Sequence, residues 1–124
     1  MEPKKLMLDI DKPYSQLKKI LTEIEDYITE LLNMEPNLEL VSFKERKSFG
    51  GRIHLLLEFN RELSVLENLK FRAYLGDDDK RIVADLWRLE NLGGESKRAV
   101  DRIFVARYRK RKLETAGEWR LVRW

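Results

Sequence analysis

The sequence predicts an α+β fold in which an open sheet of four or five strands carries helices packed on one face. Residues 52–59 alternate between apolar and mixed positions, as a strand with one buried face does. The apolar positions are Ile53, Leu55, Leu57 and Phe59. Residues 14–34 repeat apolar side chains at the spacing of one helical face. At 124 residues, the chain is expected to form a single domain, 1–124.

The remaining elements of the first half follow from local signals. Residues 5–11 alternate and predict a short first strand, and the helix over 14–34 lies between Pro13 and Pro36. Residues 38–47 predict a second strand, which turns at Ser48–Gly51 into the central strand because glycine accepts the backbone angles of a tight turn.

The second half begins with a helix pair. Ser64 and Glu67 have the spacing of a capping box, and Gly76 is a typical residue just past a helix end. Asp77-Asp78-Asp79 then starts a second helix, where acidic residues favour the N-terminus. Its expected apolar side consists of Ile82, Val83, Leu86 and Leu89. A long strand over 101–112 and a last strand over 118–124 complete the prediction.

Composition narrows the functional classes. The chain has no cysteine, which excludes disulfides and thiolate metal sites and fits an intracellular setting. No apolar run approaches the roughly 20 residues of a membrane span, so we expect no membrane contact and a cytoplasmic location. Charged residues form 38% of the chain and glutamine occurs once, a balance typical of proteins from hot environments.

Basic residues concentrate in one segment. Lys97–Lys112 holds eight of them against one acid, a net charge of +7, whereas the rest of the chain has −4. Such a concentration with interleaved aromatics is typical of nucleic-acid binding; the alternative is an edge strand protected by its charge. The candidate contacts here are Arg102, Phe104, Arg107, Tyr108, Arg109, Lys110, Arg111 and Lys112, with Trp119 and Arg120 further on.

The turn before the central strand is a second basic site. It is a candidate phosphate-contacting loop, although an ordinary charged hairpin tip is an equal alternative. Its candidate nucleic-acid contacts are Arg46, Lys47, Phe49 and Arg52. Asp9 and Asp11 share one strand face, so they are candidate ligands of a divalent metal. Alternatively, Asp11 caps the next helix.

Apolar residues before Asp9-x-Asp11, together with Ser48-x-Gly50-Gly51-x-x-His54, resemble motifs of the archaeo-eukaryotic primase family, which has an RRM-like (ferredoxin-like) sheet. The order of elements also resembles small replication-linked proteins of archaeal viruses and plasmids. The primase resemblance implies that Asp9 and Asp11 bind metal and that His54 contacts nucleotide phosphates. It also implies a third carboxylate, for which Asp101 is the first candidate and Asp85 the alternative. Missing zinc-binding cysteines and a short chain depart from that family.

Three functions follow as hypotheses. The first is a protein of replication or repair that binds single-stranded nucleic acid, with single-stranded DNA as the expected ligand. This function needs no cofactor. The second is a small nucleotidyltransferase that uses Mg²⁺ or Mn²⁺ on the catalytic candidates Asp9, Asp11 and Asp101, with His54 and Arg52 on a triphosphate. The third is a structural or homo-oligomeric protein in which Trp119 and Trp124 anchor a partner.

Overall fold

A computed structural model describes residues 4–92, 106–109 and 112–122. Its strands are β1 (Lys5–Pro13), β2 (Leu40–Lys47), β3 (Arg52–Phe59), β4 (Ala106–Arg109), β5 (Lys112–Thr115) and β6 (Arg120–Val122). Its helices are α1 (Leu17–Met34), α2 (Val65–Tyr74) and α3 (Asp79–Leu92), with one 3-10 turn at Tyr14–Gln16. None of the helices within these ranges has the length and apolarity needed to cross a lipid bilayer.

The main sheet has four antiparallel strands in the order β1-β3-β2-β6. β3 lies between β1 and β2, so these two strands run parallel to each other and α1 connects them across the sheet. This is the split β-α-β arrangement of ferredoxin-like sheets. The α+β prediction is confirmed, with β3 as the central strand.

One face of the sheet forms the core. The four alternating residues of β3 are all buried there, together with Leu6 and Leu8 of β1 and Phe43 of β2. α1 covers this face with a stripe of isoleucines and one leucine, namely Ile20, Ile24, Ile28 and Leu31. Phe71 of α2 and Leu75, the residue just after α2, belong to the same cluster. The apolar residues that alternate along β3 and those that repeat along α1 therefore pack in one core, as predicted.

Local signals also place the ends of α2 correctly. The Ser64 hydroxyl accepts a hydrogen bond from the Glu67 backbone N–H, and the Glu67 carboxylate accepts one from the Ser64 backbone N–H, each at 3.1 Å. Gly76 has φ +88°, a left-handed conformation that glycine adopts without the steric cost of a side chain. The predicted capping box and helix stop are both confirmed.

The apolar side predicted for α3 is wrong at two of its four positions, whereas Ile82 and Leu89 are half-buried. Its expected apolar side includes Val83 and Leu86, yet these side chains are 63% and 42% exposed, whereas Asp85 is buried. Asp85 Oδ2 accepts a hydrogen bond at 2.7 Å from Nη1 of Arg72, a fully buried residue of α2. Because a buried guanidinium needs carboxylate partners, the ion pair determines which side of α3 faces α2.

The start of α3 covers the outer edge of β1. The Asp77 carboxylate accepts a hydrogen bond from the Asp9 N–H at 2.7 Å, and the Asp78 N–H donates to the Asp9 carbonyl at 2.9 Å. Arg81 donates to the Met7 carbonyl at 3.2 Å. These contacts satisfy edge groups that could otherwise pair with another chain.

The long strand predicted over 101–112 is also wrong. β4 ends at Arg109 and pairs antiparallel with β5, with Arg109 opposite Lys112 and Ala106 opposite Thr115. The chain therefore reverses direction within the basic segment. Because charged side chains occupy both alternating positions in this segment, sequence periodicity provides no signal for that reversal.

Candidate nucleic-acid interface

A row of four side chains crosses the second face of the sheet, opposite the core. Asp9 of β1 lies opposite His54 of β3, and His54 lies opposite Arg46 of β2. The Arg46 guanidinium carbon is 4.2 Å from the centre of the Trp119 ring, which precedes β6. We call Asp9, His54, Arg46 and Trp119 the cross-sheet row. The row crosses the sheet at one level, from β1 through β3 and β2 to Trp119, the residue just before β6.

Hydrogen bonding orients the middle of the cross-sheet row. Arg46 Nε donates to His54 Nδ1 at 2.9 Å, so Nδ1 is the unprotonated nitrogen of a neutral ring and the proton is on Nε2. His54 Nε2 is 3.8 Å from Asp9 Oδ1, beyond ordinary hydrogen-bond length. His54 thus acts as an acceptor that holds the Arg46 side chain in place.

Burial determines the charge states in this row. His54 is only 2% exposed, and burial lowers its pKa from 6.5 to about 4, with further contributions from the positive charges of Arg46 and Arg81. Burial also raises the pKa of Asp9, although the Arg81 charge acts in the opposite direction. His54 is therefore neutral at pH 7, and Arg46 is the cation against the Trp119 ring.

A close backbone contact places the segment before Trp119. The Gly117 N–H donates to the Lys47 carbonyl at 2.7 Å, where the chain passes the end of β2. A Cβ on Gly117 would lie 3.4 Å from that carbonyl oxygen, at the short end of ordinary van der Waals contact. The fit holds the Trp119 segment against β2, and cation–π attraction then favours the ring position over Arg46.

The predicted contacts of the basic turn fall into two groups. Arg46 is buried against Trp119 and His54, whereas Lys47 and Arg52 are exposed and Phe49 is half-buried. Arg52 Nη1 lies 2.5 Å from Asp11 Oδ1 at the surface. The exposed cations of this turn are therefore Lys47, and Arg52 within its surface pair with Asp11.

The predicted catalytic residues are brought together only in part. Asp9 and His54 are cross-strand neighbours, and Asp11 is paired with Arg52. Asp101 lies outside the described residues. Among the residues that are described, no three carboxylate or histidine side chains form a cluster suited to a metal ion. The Mg²⁺ or Mn²⁺ site, and the nucleotidyltransferase activity with it, stay predictions.

Of the basic segment, the structure describes residues 106–109 and Lys112. Arg107, Tyr108 and Arg109 are in β4 and Lys112 begins β5. Arg102, Phe104, Lys110 and Arg111 lie outside the described residues, as does Trp124. Arg120 is exposed on β6, opposite Glu45 of β2.

Sequence patterns missed two features of this face. The first is Arg81 of α3, which donates a hydrogen bond to the edge of β1. Its positive charge acts to lower the pKa of both Asp9 and His54. The second is the stacking of Arg46 on Trp119, residues that are 73 positions apart in the chain. The only available signal was the basic and aromatic composition of the two segments, which does not define a pair.

The buried state of His54 predicts a pH-dependent stability. The unfolded chain takes up a proton near pH 6.5 and the folded protein near pH 4, so the free energy of unfolding falls as pH falls through this window. The largest expected loss is about 3 kcal/mol at roughly 1.4 kcal/mol per pKa unit. Urea unfolding of the wild type and of His54→Gln, which retains an acceptor for Arg46, measures the difference.

Subtracting the two profiles isolates the histidine. The raised pKa values of Asp9 and Asp77 have the opposite sign, because a carboxyl that prefers its protonated form when folded gains stability as pH falls. Both carboxyls are present in each protein. Parallel profiles for the wild type and His54→Gln between pH 6.5 and 4 would contradict a buried neutral His54.

Comparisons with known proteins add no family. Searches with protein-family models, among curated proteins and among solved structures each found no match to this chain. The fold defines the class of protein, an α+β domain with a ferredoxin-like open sheet. The cross-sheet row is the candidate functional site on that sheet, and the resemblance to primases stays a prediction.

Proposed function

We propose that the protein binds single-stranded nucleic acid, with Trp119 as a stacking platform and the basic segment Lys97–Lys112 as the phosphate-binding part. The observation that carries the proposal is the Arg46–Trp119 stack on the second face of the sheet. Aromatic side chains beside a basic groove are the usual components of sequence-tolerant single-strand binding. We propose single-stranded DNA as the ligand and cytoplasmic replication or repair as the setting.

Support for the stacking role comes from the way the ring is held. Arg46 covers one face of the Trp119 ring, His54 holds Arg46, and Gly117 ties the same segment to β2. Trp119 itself is only half-buried. An aromatic ring already held in place loses little conformational entropy when a base stacks on it, which favours affinity.

Support for the phosphate-binding role comes from charge and connectivity. The basic segment has a net charge of +7 and includes β4, whose partner strand β5 ends at Thr115, four residues before Trp119. Lys47 and Arg52 add exposed cations at the turn on the other side of β2. A nucleic-acid strand that stacks on Trp119 therefore has cations available from the basic segment and from this turn.

The test is fluorescence anisotropy of a labelled single-stranded oligonucleotide over a range of salt concentrations. Changing Trp119 to Ala should weaken binding by about 5- to 150-fold, the equivalent of 1–3 kcal/mol per stacked base, with little change in salt dependence. Changing Arg107, Arg109 and Arg111 together to Ala should instead make the slope of log affinity against log salt shallower by about 2, at about 0.7 per phosphate. Tyr108→Ala should behave like Trp119→Ala.

The matched control is Tyr27→Ala, because Tyr27 is an exposed aromatic residue of α1, on the helical side of the sheet. Its binding curve should match that of the wild type. Absence of binding even at low salt would remove the proposal and leave a structural or partner-binding role. Unchanged binding by the triple arginine variant would move the phosphate site to Lys47 and Arg52.

A further inference from the structure

The exposed side of α3 is an apolar surface with charged ends. Val83, Leu86 and Trp87 are 63%, 42% and 61% exposed, and they lie on the side of the helix away from buried Asp85. Their spacing of three and four residues places them on one helical face. Exposed Lys80 extends this face toward the start of the helix, and exposed Glu90 extends it toward the end. We call these five residues the α3 face.

The α3 face is complementary to itself. When a second copy of the helix lies antiparallel, with a two-fold axis at the level of residue 85, Val83 comes level with Trp87 of the second copy. In the same register, Lys80 comes level with Glu90 of the second copy, and the two Leu86 side chains approach each other near the axis. Each of these apolar residues thus meets an apolar residue, and the Lys80–Glu90 pair forms twice, once on each side of the axis.

We infer that the α3 face is a homodimer interface between two antiparallel copies of this helix. The partner is a second copy because the register that brings Val83 level with Trp87 also brings Lys80 level with Glu90. An isologous contact requires such a self-complementary surface. Burial of Trp87 supplies the main apolar contribution, since tryptophan is among the residues that most often dominate interface energies. The Lys80–Glu90 pairs select the antiparallel register.

The remaining side of α3 is compatible with this arrangement. Asp85 is held by Arg72 and Arg88, and Arg81 is held by Asp77, so these charged groups do not have to leave their partners when the α3 face is covered. The inference does not depend on nucleic-acid binding, because the interface and the cross-sheet row share no residue.

Sedimentation equilibrium of the full chain, without nucleic acid, tests the interface. The wild type should show a reversible monomer–dimer equilibrium, and Trp87→Ser should weaken it by about tenfold or more. Lys80→Glu should weaken it as well, because it places like charges opposite each other. The double variant Lys80→Glu with Glu90→Lys should restore dimerisation to near the wild-type level.

The controls separate dimerisation from folding. Both charge changes suit the helix dipole, since they place an acid near the start of α3 and a base near its end. Leu121→Ser removes an exposed apolar residue of β6 and should leave the dimer unchanged. A wild type that stays monomeric, a dimer indifferent to Trp87→Ser, or a double variant no better than Lys80→Glu would each overturn the inference.

Discussion

Replacing Arg72 with Ala should destabilise the protein by about 3–5 kcal/mol, because the change leaves buried carboxylates without their cation. Arg72 and Asp77 are fully buried, and Arg72 Nε donates to Asp77 Oδ2 at 2.8 Å. Arg72 Nη1 also donates to Asn68 Oδ1 at 3.1 Å and to Asp85 Oδ2 at 2.7 Å. Urea unfolding monitored by circular dichroism measures the loss.

Protonation should reduce the cost of Arg72→Ala. Burial already raises the pKa of Asp77, while Arg81 and Arg72 act in the opposite direction. Without Arg72 this carboxyl accepts a proton more readily, so the deficit in unfolding free energy should shrink as pH falls. Adding Asp77→Asn and Asp85→Asn to Arg72→Ala should likewise recover part of the loss.

Lys70→Ala is the matched control for the loss of a cation from α2. Lys70 is exposed, and its Nζ lies 3.9 Å from a Glu35 carboxylate oxygen, so its removal should cost less than about 1 kcal/mol. Similar losses from Arg72→Ala and Lys70→Ala would contradict a role for the buried network in joining α2 to α3.

Replacing Leu55 with Ala should destabilise the protein by about 2–5 kcal/mol. Leu55 lies in the middle of central strand β3, is fully buried, and belongs to the cluster that α1 covers. The loss combines the transfer of apolar surface with the cavity that rigid neighbours leave unfilled. The shift in the urea midpoint at constant slope gives the value.

The comparison for Leu55 is Leu121→Ala. Leu121 of β6 is 74% exposed, so removing its side chain should change the free energy of unfolding by no more than about 0.5 kcal/mol. Equal effects at the two positions would contradict the burial of Leu55 in the core that α1 covers.

Local signals in the sequence were enough to locate several elements of the fold. Alternation over 53–59 identified β3 and its buried side chains, and apolar spacing identified α1. The Ser64–Glu67 capping box and Gly76 marked the ends of α2 within a residue or two. These predictions succeeded because hydrogen bonding and burial repeat with the period of a single element, and a sequence records that period directly.

Tertiary structure alone decided which distant residues meet. Asp9, His54, Arg46 and Trp119 form one row because strand register aligns four separate segments, and no local period encodes that register. The orientation of α3 likewise depends on buried Arg72, whose need for carboxylate partners outweighs the apolar pattern of the helix. An ion pair between distant residues depends on the positions of particular atoms, and only the folded chain defines those positions.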